Sequence, residues 1–143
     1  MKQIYTPVMA QLKALVPELR WIDLDTDQLN AATRPQVAFP CALIGVELND
    51  CDSLSDTLQQ CGTTVTVKMG FDNVGSTSGA APDHIRNSSL MVYDIIEKVY
   101  KALQGFEKPD FEALSRRKQG KVPGRNGLFQ YQITFSTILD DEA

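Results

Sequence analysis

The sequence predicts an α+β domain, an antiparallel or mixed sheet of about four to five strands with two helices packed on one face. Three observations carry that prediction. Residues 63–71 and 129–139 alternate apolar and polar at a period of two, and residues 82–103 carry an apolar stripe at helical steps. Turn-formers, not repeated βαβ units, join these segments.

In chain order, residues 5–19 place Val8, Leu12, Leu15 and Leu19 at three- and four-residue steps, so a short amphipathic helix is expected. Pro7 suits its first turn, and Pro17 should end it near Leu15 or Val16. Residues 19–24 alternate Arg20, Ile22 and Leu24 against Trp21 and Asp23, which fits a short edge strand. Residues 25–36 are rich in Asp and Asn turn chemistry and read as a loop. Residues 39–48 are apolar at nearly every position, as a central strand covered on both faces would be, with Pro40 at its start.

Residues 49–61 read as a polar excursion without a period. In residues 63–71, Val65, Val67, Met69 and Phe71 face one way and Thr64, Thr66, Lys68 and Gly70 the other. Residues 72–81 are Gly, Ser, Thr, Asn and Ala with little apolar area, a composition expected of a mobile loop. Pro82 then opens the long helix, with Asp83 near its positive end. Ile85, Val92, Ile96, Val99 and Leu103 form its stripe, and Gly105 with Phe106 suits a left-handed cap.

Residues 111–118 read weakly as a strand. Residues 119–127 are the expected hairpin tip, and residues 129–139 the return strand, with Phe129, Tyr131, Ile133, Phe135 and Leu139 on one side. The acidic stretch Asp140, Asp141, Glu142 is expected to fray. No linker or repeat divides residues 1–143, which read as a single domain.

The 143 residues are 43% hydrophobic and 22% charged, ordinary usage for one folded domain. No apolar run is long enough for a membrane span, and residues 1–7 lack a signal-peptide core, so a cytoplasmic product without a membrane partner is expected. The net charge of -4 argues against a general nucleic-acid coat. Cys41, Cys51 and Cys61 are ten residues apart, which fits neither zinc pairs nor an even disulfide framework, and the favoured reading is reduced thiols acting as small hydrophobes.

Catalytic chemistry finds little to stand on. His84 is the one histidine, at the expected start of a helix and without a G-x-S-x-G elbow, so a solvated role is favoured over a base. Asp23, Asp25 and Asp27 begin like a calcium loop, but Gln28 replaces the turn glycine and Arg34 the closing glutamate. Gly70 and Gly75 have a phosphate-loop spacing without its lysine, and Gly124 and Gly127 precede no helix. Trp21, Tyr93, Tyr100 and Phe106 suit core packing better than a ligand cage. No catalytic residue, cofactor or metal site is assigned, and a small hydrolase or nucleotide-handling enzyme is the lesser alternative.

The feature left over is Arg116, Arg117, Lys118, Lys121 and Arg125, with no acid between them in an acidic chain. These are the candidate partner contacts. They fit a hairpin guarded against aggregation, a finger for an acidic partner, or non-specific DNA contact through phosphates.

Several stretches taken together carry a family likeness. They are Ile4-Tyr5, Val16-Pro17-Glu18-Leu19, Trp21-Ile22-Asp23-Leu24-Asp25 with Gln28-Leu29, and Phe39-Pro40-Cys41-Ala42-Leu43-Ile44. The later ones are the run from Val99-Tyr100 to Gly105-Phe106, Arg116-Arg117, and Tyr131-Gln132-Ile133-Thr134-Phe135. The chain resembles small prophage-encoded proteins of Bacteroides-type bacteria. In element order it is similar to phage tail-terminator (tail-completion) and head-tail joining proteins. That resemblance implies a homo-oligomeric ring, expected to be a hexamer, which caps the tail tube and presents a surface for head attachment. The implied partners are tail-tube and head-completion proteins, met in the bacterial cytoplasm during assembly and then in the virion. A head-tail connector or DNA-contacting adaptor is the alternative.

Overall fold

A computed structural model describes residues 1–72, 74–124 and 126–143. Helix α1 spans Lys2–Leu15 and is followed by strand β1, Trp21–Leu24, and a single 3-10 turn, Gln28–Asn30. Strands β2, Cys41–Ser53, and β3, Leu58–Phe71, form a long hairpin. Helices α2, Asp83–Ser89, and α3, Met91–Leu103, precede the second hairpin of β4, Ser115–Lys121, and β5, Phe129–Glu142. One mixed sheet has the order β1-β2-β3-β5-β4, with β1 parallel to β2 and the other pairs antiparallel. The α+β class holds.

Alternation along the strands builds the main core. Ile44 pairs with Val67 and Val67 with Ile133, while Val65 pairs with Phe135, so these side chains share one sheet face. Onto that face pack Ile4, Val8 and Leu12 of α1 and Ile96, Val99 and Leu103 of α3, all buried. The Gln11 amide donates to the Ala102 carbonyl at 3.0 Å and ties the two helices.

Several local expectations change. The first helix starts earlier than expected because burial of Ile4 extends the stripe; Pro7 therefore lies inside it, and Leu15 is 54% exposed. The helix opened by Pro82 is two helices meeting at Leu90, where Ser89 donates its hydroxyl to the Ile85 carbonyl at 2.8 Å. Such back-bonding bends helices, and the stripe counted across the break left Ile85 exposed. Gly105 does take the left-handed conformation, φ 78°, with Phe106 packed on the core. The weak strand expected at 111–118 lies at Ser115–Lys121, and Phe111 makes only isolated bridges to Lys108 and Leu139.

The largest correction concerns residues 49–61 and the acidic end. The polar excursion is β-hairpin: Asp50 pairs with Gly62, Cys51 with Cys61, Asp52 with Gln60 and Ser53 with Gln59. Asp140, Asp141 and Glu142 do not fray but pair with Gln60, Gln59 and Leu58. Backbone ladders satisfy these strands although their side chains face water, so no apolar period announces them.

The sheet's other face carries a second, smaller cluster of Leu29, Phe39, Cys41 and Leu43, joined by Val37 and Leu128. It explains why residues 41–44 are all fully buried: β2 is covered on both faces there, although β3, not β2, is the central strand. Burial pushes the Cys41 thiol up to about 11, against backbone hydrogen bonds from Gly70 and from its own residue. Because the folded value is raised, this contribution is complete below the ordinary thiol range and is lost as pH rises through about 11. Stability should therefore fall by about 1.4 kcal/mol per pH unit from this group once the unfolded chain ionises. Urea unfolding at about pH 8 and about pH 10.5 should show a smaller alkaline loss in Cys41→Ala than in the wild type; equal losses would refute the assignment.

Candidate assembly surfaces

Four of the five basic residues singled out from the sequence lie on β4, the free edge of the sheet beyond β5. Arg116, Arg117, Lys118 and Lys121 are exposed, and among the described residues none of the four forms an ion pair. Arg125 lies outside the described residues. A register shift between Arg116 and Lys118 turns neighbouring side chains to different faces. Arg116 stacks over the Tyr100 ring of α3 at 3.8 Å and donates to Gln119 at 2.8 Å, whereas Arg117 donates to the Ser136 hydroxyl at 2.6 Å. Lys118 and Lys121 project from the same strand, so both sides of the edge are cationic.

An acidic counterpart went unnoticed in the sequence. The far ends of β2, β3 and β5 form a three-stranded arm bearing Asp50, Asp52, Asp56, Asp140, Asp141 and Glu142. Residues 35–67 and 126–143 contain neither lysine nor arginine, and that was the available signal. Asp52, Gln60 and Asp140 stand in one row across the three strands. Leu54, 58% exposed, sits at the hairpin tip.

The other candidates disperse. Asp23 accepts from the Leu24 amide and from Gln28, Asp25 accepts from the Asp27 amide and pairs with Lys68 at 3.7 Å, and Asp27 accepts from Asn30. Among the described residues no group of three metal-ligating side chains is gathered. His84 lines an open groove of about 460 Å³ with Asp72, Ser88 and Ser89. The Ser89 hydroxyl donates to the Ile85 carbonyl and the Asp72 carboxylate pairs with Arg34 at 2.7 Å, so neither is joined to His84. Gly75 lies in that groove because a Cβ there would meet Ser89 Oγ at 2.7 Å, a packing reason unrelated to phosphate. Of the four aromatics, Tyr100 and Phe106 pack on the core, whereas Trp21 and Tyr93 are 40% and 48% exposed. Tyr93 sits edge-on to Phe129 and Tyr131, and no cage forms.

The fold and its surface define a class: an α+β domain with one cationic sheet edge and one anionic β arm. No helix among the described residues is long and apolar enough to cross a membrane. No protein-family model matches the chain, and no curated protein matches it significantly.

Proposed function

We propose that this protein is a structural subunit that self-associates head to tail into a ring, as a tail-terminator or tail-completion protein of a phage or prophage particle. The observation that supports this reading is the segregation of charge on exposed β-structure. The charged groups of the arm are all carboxylates, the β4 edge carries four cations without ion-pair partners among the described residues, and the two are different patches on one chain. Two different complementary patches generate a heterologous contact, which closes into a ring when the rotation allows. A catalytic role draws no comparable support, because His84, Ser89 and Asp72 are not coupled.

Light scattering at micromolar concentration should find an oligomer at about 0.05 M salt that weakens at about 0.5 M, where exposed charges are screened. Lys118→Glu/Lys121→Glu and Asp50→Lys/Asp52→Lys should each be monomeric, and an equimolar mixture of the two should reassemble. A wild type that stays monomeric at low salt, alone and in the presence of a phage tail-tube protein, would overturn the reading. Self-association without capping of tube growth would overturn the tail-terminator role. Salt-sensitive DNA binding lost in Arg116→Ala/Arg117→Ala/Lys121→Ala would favour the adaptor reading instead.

A further inference from the structure

We propose that Cys51 and Cys61 form a reversible dithiol–disulfide pair that staples the acidic arm. Their spacing in sequence suggests nothing of the kind, but the β2–β3 register places them directly opposite each other in an antiparallel ladder. Directly opposed residues project from the same side of the sheet with Cβ atoms about 4.5–5.5 Å apart. A disulfide needs Cα atoms about 4.4–6.8 Å apart and Cβ atoms about 3.5–4.5 Å apart, so closure asks for a small local adjustment and no change of register. Cys41, the third thiol, is buried in the cluster on the opposite face of the sheet and cannot compete.

The pair is asymmetric in a way that orders the chemistry. Cys51 is exposed, whereas Cys61 is fully buried beneath the arm on the same side as Leu139. The Cys61 thiol is pushed up to about 11, first by its hydrogen bond with Cys51, then by burial, and further by the Cys51, Asp141 and Asp52 charges. Cys51 is therefore the first to react with a low-molecular-weight disulfide such as oxidised glutathione. Its thiolate attacks one sulfur, the glutathione S–S bond breaks, and one glutathione thiol leaves with Cys51 held as a mixed disulfide. Cys61 then gives up its proton and attacks Cys51 Sγ, the mixed disulfide breaks, and the second glutathione leaves as a thiol. Two protein thiols are oxidised by two electrons and one glutathione disulfide is reduced to two thiols.

The arm is where such a staple has something to do. Residues 49–57 are exposed throughout, so ladder hydrogen bonds hold the hairpin with little apolar burial to support them. The inference does not depend on the assembly reading, since a monomer with the same register would cyclise equally.

The test is intact-mass analysis of the folded full chain after incubation in a graded ratio of oxidised to reduced glutathione, quenched with acid and alkylated in denaturant. The expected result is loss of two hydrogen atoms, protection of Cys51 and Cys61 but not Cys41, and the same loss in Cys41→Ser. The folded chain should reach this state at a ratio at which the urea-unfolded chain remains reduced. Cys61→Ser should stop at the glutathione adduct on Cys51. A wild type that also stops at that adduct, a dimer linked through Cys51, or equal oxidation of folded and unfolded chains would overturn the proposal.

Discussion

Phe135→Ala should lower folding stability by about 3–5 kcal/mol, the range for emptying a fully buried aromatic position. Phe135 has no exposed surface and is among the largest side chains of the core. It stands opposite Val65 on β3 and, on its other flank, opposite Arg116 at the β4 register shift. The buried residues of the α1 and α3 stripes belong to the same core cluster, and the Gln11 bond to Ala102 ties the two helices together. The void cannot collapse cheaply, so the cavity cost adds to the lost transfer energy. For a domain whose total stability is about 5–15 kcal/mol, that is enough to populate the unfolded state at modest urea. Phe135→Leu keeps most of the volume and should cost about 1 kcal/mol. A loss below about 1 kcal/mol for Phe135→Ala in urea titration would mean that the β5 face is not the centre of the core.

The core strands were legible because burial on one face writes a period of two into the residues, as it does for Val65, Val67 and Met69 and for Ile133 and Phe135. The unbroken apolar run at 41–44 likewise announced cover on both faces. It did not say what the cover is, because Leu29 and Leu128 reach that face from segments nearly a hundred residues apart. The arm was illegible for the opposite reason. Asp50, Asp52, Gln59 and Gln60 are wet, and their strands are specified by ladder partners, so composition alone showed only a polar stretch without a period. In the candidate surfaces, the cations at 116–121 stood out by charge, but their division between two faces depends on a bulge that only pairing with β5 creates. The Cys51 and Cys61 relation depends equally on register, which a ten-residue spacing conceals.

Gly70→Val should cost about 2–3 kcal/mol and expose Cys41, because the Leu29 side chain lies against the space a Gly70 side chain would take. A Cβ at Gly70 would lie 2.9 Å and 3.1 Å from the Leu29 Cδ atoms and 3.0 Å from Cys41 Sγ, all closer than ordinary van der Waals contact. Leu29 cannot step aside easily. Its carbonyl accepts from the Asn126 amide at 2.8 Å and from the buried Gln130 amide at 3.1 Å, and the Gln130 amide also donates to Asn126 at 3.3 Å. These bonds hold the Leu29 backbone in place, so moving the whole residue away would break bonds that satisfy buried polar groups. Gly70→Ala should cost about 1 kcal/mol, since a shift of a few tenths of an ångström absorbs a single methyl. The sharper measurement is a double-mutant cycle. Leu29→Ala alone should cost about 2–4 kcal/mol, but in the Gly70→Val background it should cost much less, since the valine fills the vacated volume. Alkylation of Cys41 in a Cys51→Ser background should rise with Gly70→Val and fall back in the double variant. Additive energies, or a Cys41 that stays protected in Gly70→Val, would show that the turn at Gln28–Asn30 does not depend on the missing side chain beneath it.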